Sequence, residues 1–119
     1  AAISDVSHMA CVGNDYGYEH VFSRWIEAMG TDKDVLIAIT TSGTSKNIVA
    51  AAKAAKAKGV TVVALTGKSG SPITELADIA VVTPAGRWAD RVQELHIKVI
   101  HILIELIEAG MAEPNPSKE

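Results

Sequence analysis

The stretch Val35-Leu36-Ile37-Ala38-Ile39-Thr40-Thr41-Ser42-Gly43-Thr44-Ser45-Lys46 decides the fold. Its first five residues form a short apolar run, as in a strand covered on both faces. A cluster of hydroxyl residues follows at once. Lys46 to Lys58 is then alanine-rich and ends at Gly59, a natural residue just past a helix C-terminus. Working outward, Thr61–Thr66 reads as a second buried-type strand, and Ile79–Val82 as a third, closed by Pro84. Gly67 to Pro72 is loop, and Ile73 to Ala77 is a short helix at most. Upstream, Gly17 to Met29 carries Val21, Phe22, Trp25, Ile26 and Met29 at helical spacing, with Gly30 as the stop. Downstream, Arg87 to Ala109 predicts a long helix of roughly 33 Å. Residues 110–119, with Pro114 and Pro116, read as a frayed tail. Short apolar strands alternating with helices imply βαβ units, right-handed crossovers and an α/β fold on a parallel sheet.

Composition narrows the function classes. The 119 residues are 48% hydrophobic and 21% charged, which fits one globular domain and not a disordered chain. A formal charge of −3 gives no reason to expect a nucleic-acid or anionic-membrane partner, and 4% aromatic content argues against base-stacking platforms. A single cysteine, Cys11, rules out an internal disulfide framework and favours the cytoplasm; it reads as a small buried apolar residue. The longest apolar stretch, near 92–107, contains Glu94, His96, Lys98, His101 and Glu105, which argues against a membrane span. No charged-then-apolar leader opens the chain, and Ala1-Ala2-Ile3-Ser4-Asp5 reads as the middle of a protein.

Thr40 to Ser45 sits between a strand's C-terminal end and a helix N-terminus. Open α/β sheets bind ligands there, and free N–H groups with the helix dipole attract anions. Five hydroxyls and Gly43 in six residues add neutral donors and room for close approach. Without a lysine cluster, this chemistry suits a sugar phosphate better than a triphosphate. The competing reading makes Ser45 or Thr44 a plain helix cap. Gly67-Lys68-Ser69 is no P-loop, because Val62 stands where the motif needs glycine.

On the last helix, Asp90, Gln93, Glu94, Ile97 and His101 share one stripe. Gln93 and His101 lie about 80° apart round the axis and roughly 12 Å along it, so both could meet one ligand. His96 and His101 are about 140° apart, a poor metal pair. Leu95, Val99, Ile100, Ile102, Leu103, Ile104, Leu106 and Ile107 cover too much circumference for one buried face, which predicts a subunit interface. His8 and His20 show no evident partner.

Several segments together resemble one family. They are Ser4-Asp5-Val6-Ser7-His8, Gly13-Asn14-Asp15-Tyr16-Gly17-Tyr18, Thr41–Ser45, Leu65-Thr66-Gly67-Lys68 and Ala89 through His101. They are similar to the sedoheptulose 7-phosphate (phosphoheptose) isomerases of the SIS fold. The resemblance implies a three-layer, flavodoxin-like α/β sandwich, incomplete at its N-terminus, with residues 1–119 as one SIS domain. It implies an aldose–ketose isomerase making D-glycero-D-manno-heptose 7-phosphate for lipopolysaccharide core heptose. It further implies that Asn14, Asp15, Thr40, Thr41, Ser42, Ser45, Asp90 and Gln93 bind substrate. His101 would be catalytic, and zinc would be held by Gln93 and His101 with ligands from elsewhere. A homo-oligomer, tetrameric by the family pattern, is implied too. The alternative is a non-catalytic SIS protein that binds sugar phosphates or a replication initiator.

Overall fold

The computed structural model describes residues 2–84 and 86–112. Strands β1 (Val35–Thr40), β2 (Thr61–Thr66) and β3 (Ile79–Val82) form one parallel sheet in the order β1-β2-β3. Val35 pairs with Thr61 and Thr40 with Thr66; Val63 pairs with Ile79 and Thr66 with Val82. The helices are α1 (Val6–Asp15), α2 (Ser23–Met29), α3 (Lys46–Ala57), α4 (Pro72–Leu76) and α5 (Ala89–Met111), with a 3-10 turn at Tyr18–His20.

Strand alternation assigns the two faces of the sheet. Leu36, Ala38, Val62 and Ala64 pack with Ala51, Ala52 and Ala55 of α3, Ile26 of α2 and Ile73 of α4. Alanine on the buried stripe of α3 lets that helix lie close to the sheet. Its C-terminus closes as a Schellman motif: Gly59 N donates to Lys56 O at 3.1 Å and Val60 N to Ala55 O at 2.9 Å. Val60 then enters β2 buried, so cap and core agree.

The opposite face is covered only in part. α5 lies on β2, where Leu65 is fully buried, and Val92 and His96 are the buried residues of α5. Helices thus flank the sheet on both sides, an α/β three-layer arrangement that is incomplete over β1. Val35, Ile37 and Ile39 share the α5 side and are 60%, 50% and 43% exposed. This corrects the expectation that β1 is covered on both faces. An apolar run records that a face suits burial, not what supplies the cover.

Other boundaries also move. Gly17 at φ +92° interrupts the helix expected over 17–29, leaving the 3-10 turn and the short α2. α1 had no sequence counterpart; Asp5 caps it by accepting from His8 N at 2.6 Å. The last helix starts at Ala89 and runs to Met111, so the frayed tail does not begin at Gly110; residues 113–119 lie outside the described ones. Cys11 is exposed, not buried, with Sγ 3.6 Å from Asp15 Oδ2 on the outer side of α1. His8 does have partners: Nε2 lies 2.7 Å from Val21 O, and its ring meets Trp25 edge-on at 5.1 Å. His20 Nε2 lies 3.5 Å from Glu19 Oε1. No helix among the described residues is long and apolar enough to cross a membrane.

Candidate functional site

The hydroxyl-rich turn sits where β1 ends and α3 begins. Thr40 is buried, and its Oγ1 lies 3.0 Å from Ser45 Oγ. Ser45 occupies the N-cap position of α3, yet its side chain makes no capping bond to the helix. The plain-cap reading therefore does not describe Ser45. Ser42 Oγ is exposed and accepts from Thr44 N at 3.3 Å and Thr44 Oγ1 at 3.1 Å.

The amides decide what this turn can hold. Ile48 N is taken by Asn47 Oδ1 at 2.9 Å, and Val49 N by Ser45 O at 2.9 Å. The N–H groups of Gly43, Ser45, Lys46 and Asn47 have no acceptor among the described residues. No acidic residue stands in the first turn of α3. Unpaired donors, the positive end of a twelve-residue helix and flanking hydroxyls together have the chemistry to receive an anion.

The turn is braced by the β2–α4 connection. Gly67 N donates to Thr41 O at 3.1 Å and Ile73 N to Gly43 O at 3.2 Å. Gly67 is also the point where α5 presses on the sheet. A Cβ there would lie 2.8 Å from Val92 Cγ2 and 3.0 Å from Thr41 O. Only glycine fits between loop and helix.

The remaining expected residues make no hydrogen bond to the loop among the described residues. Asn14 and Asp15 are exposed at the end of α1, where Asn14 Nδ2 donates to Asp15 Oδ1 at 2.8 Å. Asp90, Gln93 and His101 are exposed on α5. Among the described residues, the Asn14–Asp15 bond is the one hydrogen bond within this set, and none joins α1 to α5 or either of them to the turn. Helix geometry explains why for α5. Val92 and His96 face the sheet, and at about 100° per residue His101 stands about 180° from Val92. His101 therefore turns away from the sheet that carries the hydroxyl turn, while Gln93, about 60° round the axis from His96, stands exposed at the flank of the buried face.

A catalytic zinc site needs three protein ligands in fixed geometry. Gln93 and His101 supply two exposed donors, and no cluster of three His, Cys, Asp or Glu forms among the described residues. The residues of this chain alone do not fit that ion.

Sequence reasoning missed two features. His96 is 2% exposed, with neither ring nitrogen hydrogen-bonded. The motif reading weighed it only as a partner for His101, because periodicity does not say which side of an apolar helix meets the sheet. The brace at Gly67, Ser71 and Ile73 was also missed; its one legible signal was the Ser-Gly-Ser-Pro turn composition of 69–72.

The class follows from a parallel α/β sheet with a hydroxyl-rich turn at its first strand–helix junction, taken with a family match. The SIS domain matches residues 18–103, and the chain belongs to that family. Its relatives are more particular. The chain is 62% identical over 112 residues to a phosphoheptose isomerase of Histophilus somni (strain 2336), covering 94% of this chain and 57% of that relative. A phosphoheptose isomerase structure from Neisseria gonorrhoeae superposes with TM-score 0.85 at 41% identity, over 90% of this chain and 61% of that one. One from Francisella tularensis gives 0.83 at 35% identity, over 89% and 59%. The chain thus spans somewhat over half the length of the relatives it matches.

Proposed function

We propose that this chain carries the phosphate-binding part of an aldose–ketose isomerase. Its substrate is sedoheptulose 7-phosphate and its product D-glycero-D-manno-heptose 7-phosphate. The observation that carries the reading is the set of unpaired amides and hydroxyls at the start of α3. The names of the similar proteins support a phosphorylated heptose as the sugar.

Thr40, Thr41, Ser42 and Ser45 hold the phosphate, and Asn14, Asp15, Asp90 and Gln93 contact the sugar. Isomerisation passes a proton between adjacent carbons through an enediol, so it needs a positioned acid/base. His101 is the group of this chain proposed for that task, worth typically 10²–10⁴-fold. Zinc is proposed as the metal, with Gln93 and His101 as two ligands and the others from outside this chain. When bound, it would polarise the sugar oxygens. Ile97, Ile104 and Ile107 are 56%, 49% and 54% exposed on α5, which supports a homo-oligomer packed through this helix, a tetramer by the family pattern. Cytoplasmic heptose synthesis for lipopolysaccharide is the proposed setting.

The test fuses this chain to the preceding part of the Histophilus somni relative. The fusion should turn over sedoheptulose 7-phosphate and scatter light as an assembly larger than a monomer. His101→Ala should lower its turnover by 10²–10⁴-fold. Near-normal turnover by that variant would remove His101 from the chemistry. Phosphate binding without turnover by the fusion would favour a sugar-phosphate-sensing role.

A further inference from the structure

We propose that Ser71, outside the hydroxyl turn and the polar stripe of α5, positions the phosphate turn by acting through Gly43. The proposal rests on the phosphate reading of that turn.

Gly43 is buried and has φ +69°, a conformation that favours glycine. A Cβ on Gly43 would overlap both Oγ and Cβ of Ser71 and lie 3.2 Å from Thr66 Oγ1. Ser71 therefore fills the space that a side chain on Gly43 would need. The backbone ties the same two segments, because Ile73 N donates to Gly43 O at 3.2 Å. On the near side, Gly67 N holds Thr41 O at 3.1 Å. Ser71 acts between these two tethers.

Ser71 is itself immobilised. It is 3% exposed, and its Oγ donates to Lys68 O at 3.0 Å. Its N–H donates to Thr74 Oγ1 at 2.9 Å, and Thr74 Oγ1 donates back to Ser71 O at 2.7 Å. The serine is thus a fixed stop, and Gly43 rests on it. The direction of the Gly43 N–H, one of the unpaired donors of the turn, follows from that contact. A cradle of backbone amides works only if the amides converge before the anion arrives.

A mere capping role for Ser71 predicts something different. Asparagine caps helices as well as serine does, so Ser71→Asn would be silent if capping were all. If Ser71 positions Gly43, side-chain size matters, and the extra bulk pushes on the glycine.

The experiment titrates the chain with inorganic phosphate, following amide resonances by two-dimensional NMR. Five variants are compared: Ser42→Ala, Ser71→Asn, Ser71→Gly, Gly43→Ala and the double variant Gly43→Ala/Ser71→Gly. Ser71→Asn should weaken phosphate at least fivefold and displace the Gly43 amide resonance before any ligand is added. Gly43→Ala should weaken it at least tenfold. Adding Ser71→Gly removes both atoms that the new Cβ would meet, and should recover at least threefold. The double variant guards against a single variant that fails to fold. Strictly multiplicative effects of Gly43→Ala and Ser71→Gly, or wild-type affinity in Ser71→Asn, would overturn the proposal. If Ser42→Ala weakens phosphate while those two results hold, the phosphate reading stands and only the role of Ser71 falls. If the wild-type chain shows no phosphate-dependent shifts in the turn, both fall together.

Discussion

The turn at the head of α3 and the polar stripe of α5 carry similar chemistry on opposite terms. The turn is tied to its neighbours through backbone atoms at Thr41 and Gly43, and its donors are main-chain amides. The stripe consists of side chains on a helix whose buried contacts are Val92 and His96. Where the turn points is fixed by residues within this chain. Where the stripe points follows from which side of α5 meets β2, and that leaves Gln93 and His101 exposed. A site assembled from both kinds of part is finished locally at one end and open at the other.

Core truncation is the strongest way to break this contrast. Ile73 is fully buried under α3, and its amide holds Gly43 O. Ile73→Ala should cost about 2–5 kcal/mol in urea unfolding, the usual range for a buried isoleucine. The same truncation at Ile104 on α5, 49% exposed, should cost no more than about 0.5 kcal/mol for the unassembled chain. Equal losses at the two positions would mean that α5 is as deeply integrated as α4.

His96 sharpens the comparison at a smaller scale. Two buried ring nitrogens without partners are a debit, since an unsatisfied buried polar group costs about 1–3 kcal/mol. His96→Leu should therefore leave stability unchanged or raise it by about 1 kcal/mol. A clear loss in thermal unfolding would show that the imidazole has a hydrogen-bond partner in solution, such as an ordered water.

These contrasts track what the sequence could say. The β1–turn–α3 unit was legible because three local signals agreed there: an apolar run, a hydroxyl cluster and an alanine helix ending in glycine. β2 and β3 were legible from their apolar runs and the Gly and Pro residues that close them. α1 was not, because its cap, Asp5, lacks a glutamate three residues on and Gly13 interrupts its apolar spacing, although Val6, Met9 and Ala10 fall at helical intervals. His96 and His101 look alike on an apolar helix, and only the docking side of α5 separates a buried ring from an exposed one. The open side of β1 was illegible in principle. Val35, Ile37 and Ile39 have the same apolar character whether their cover belongs to this chain or to something beyond it.

The smallest effect expected is acid sensitivity at the far end of the sheet, at the opposite strand ends from the hydroxyl turn. Asp78 accepts from Val62 N at 2.7 Å and from Lys56 Nζ at 3.1 Å, joining the approach to β3 to β2 and α3. The Val62 amide first, then Lys56, holds its carboxyl below the ordinary value of 3.8. Asp34, accepting from Thr31 N at 2.8 Å and Oγ1 at 2.9 Å, is lowered in the same way. A folded pKa below the unfolded one means that the native state favours the ionised form. The associated stability is fully present above about pH 4 and is lost as pH falls through the lower, folded value. Between pH 7 and pH 5 these two groups should leave stability flat, and below pH 4 they should erode it. In the double variant Asp34→Asn/Asp78→Asn, the urea midpoint should be lower at neutral pH and fall less steeply in acid. Lys56 is exposed, so Lys56→Ala should do less than Asp78→Asn, and its effect should fade with added salt. Removing the carboxylate while leaving the acid slope of the wild-type chain intact would show that the acid response arises elsewhere.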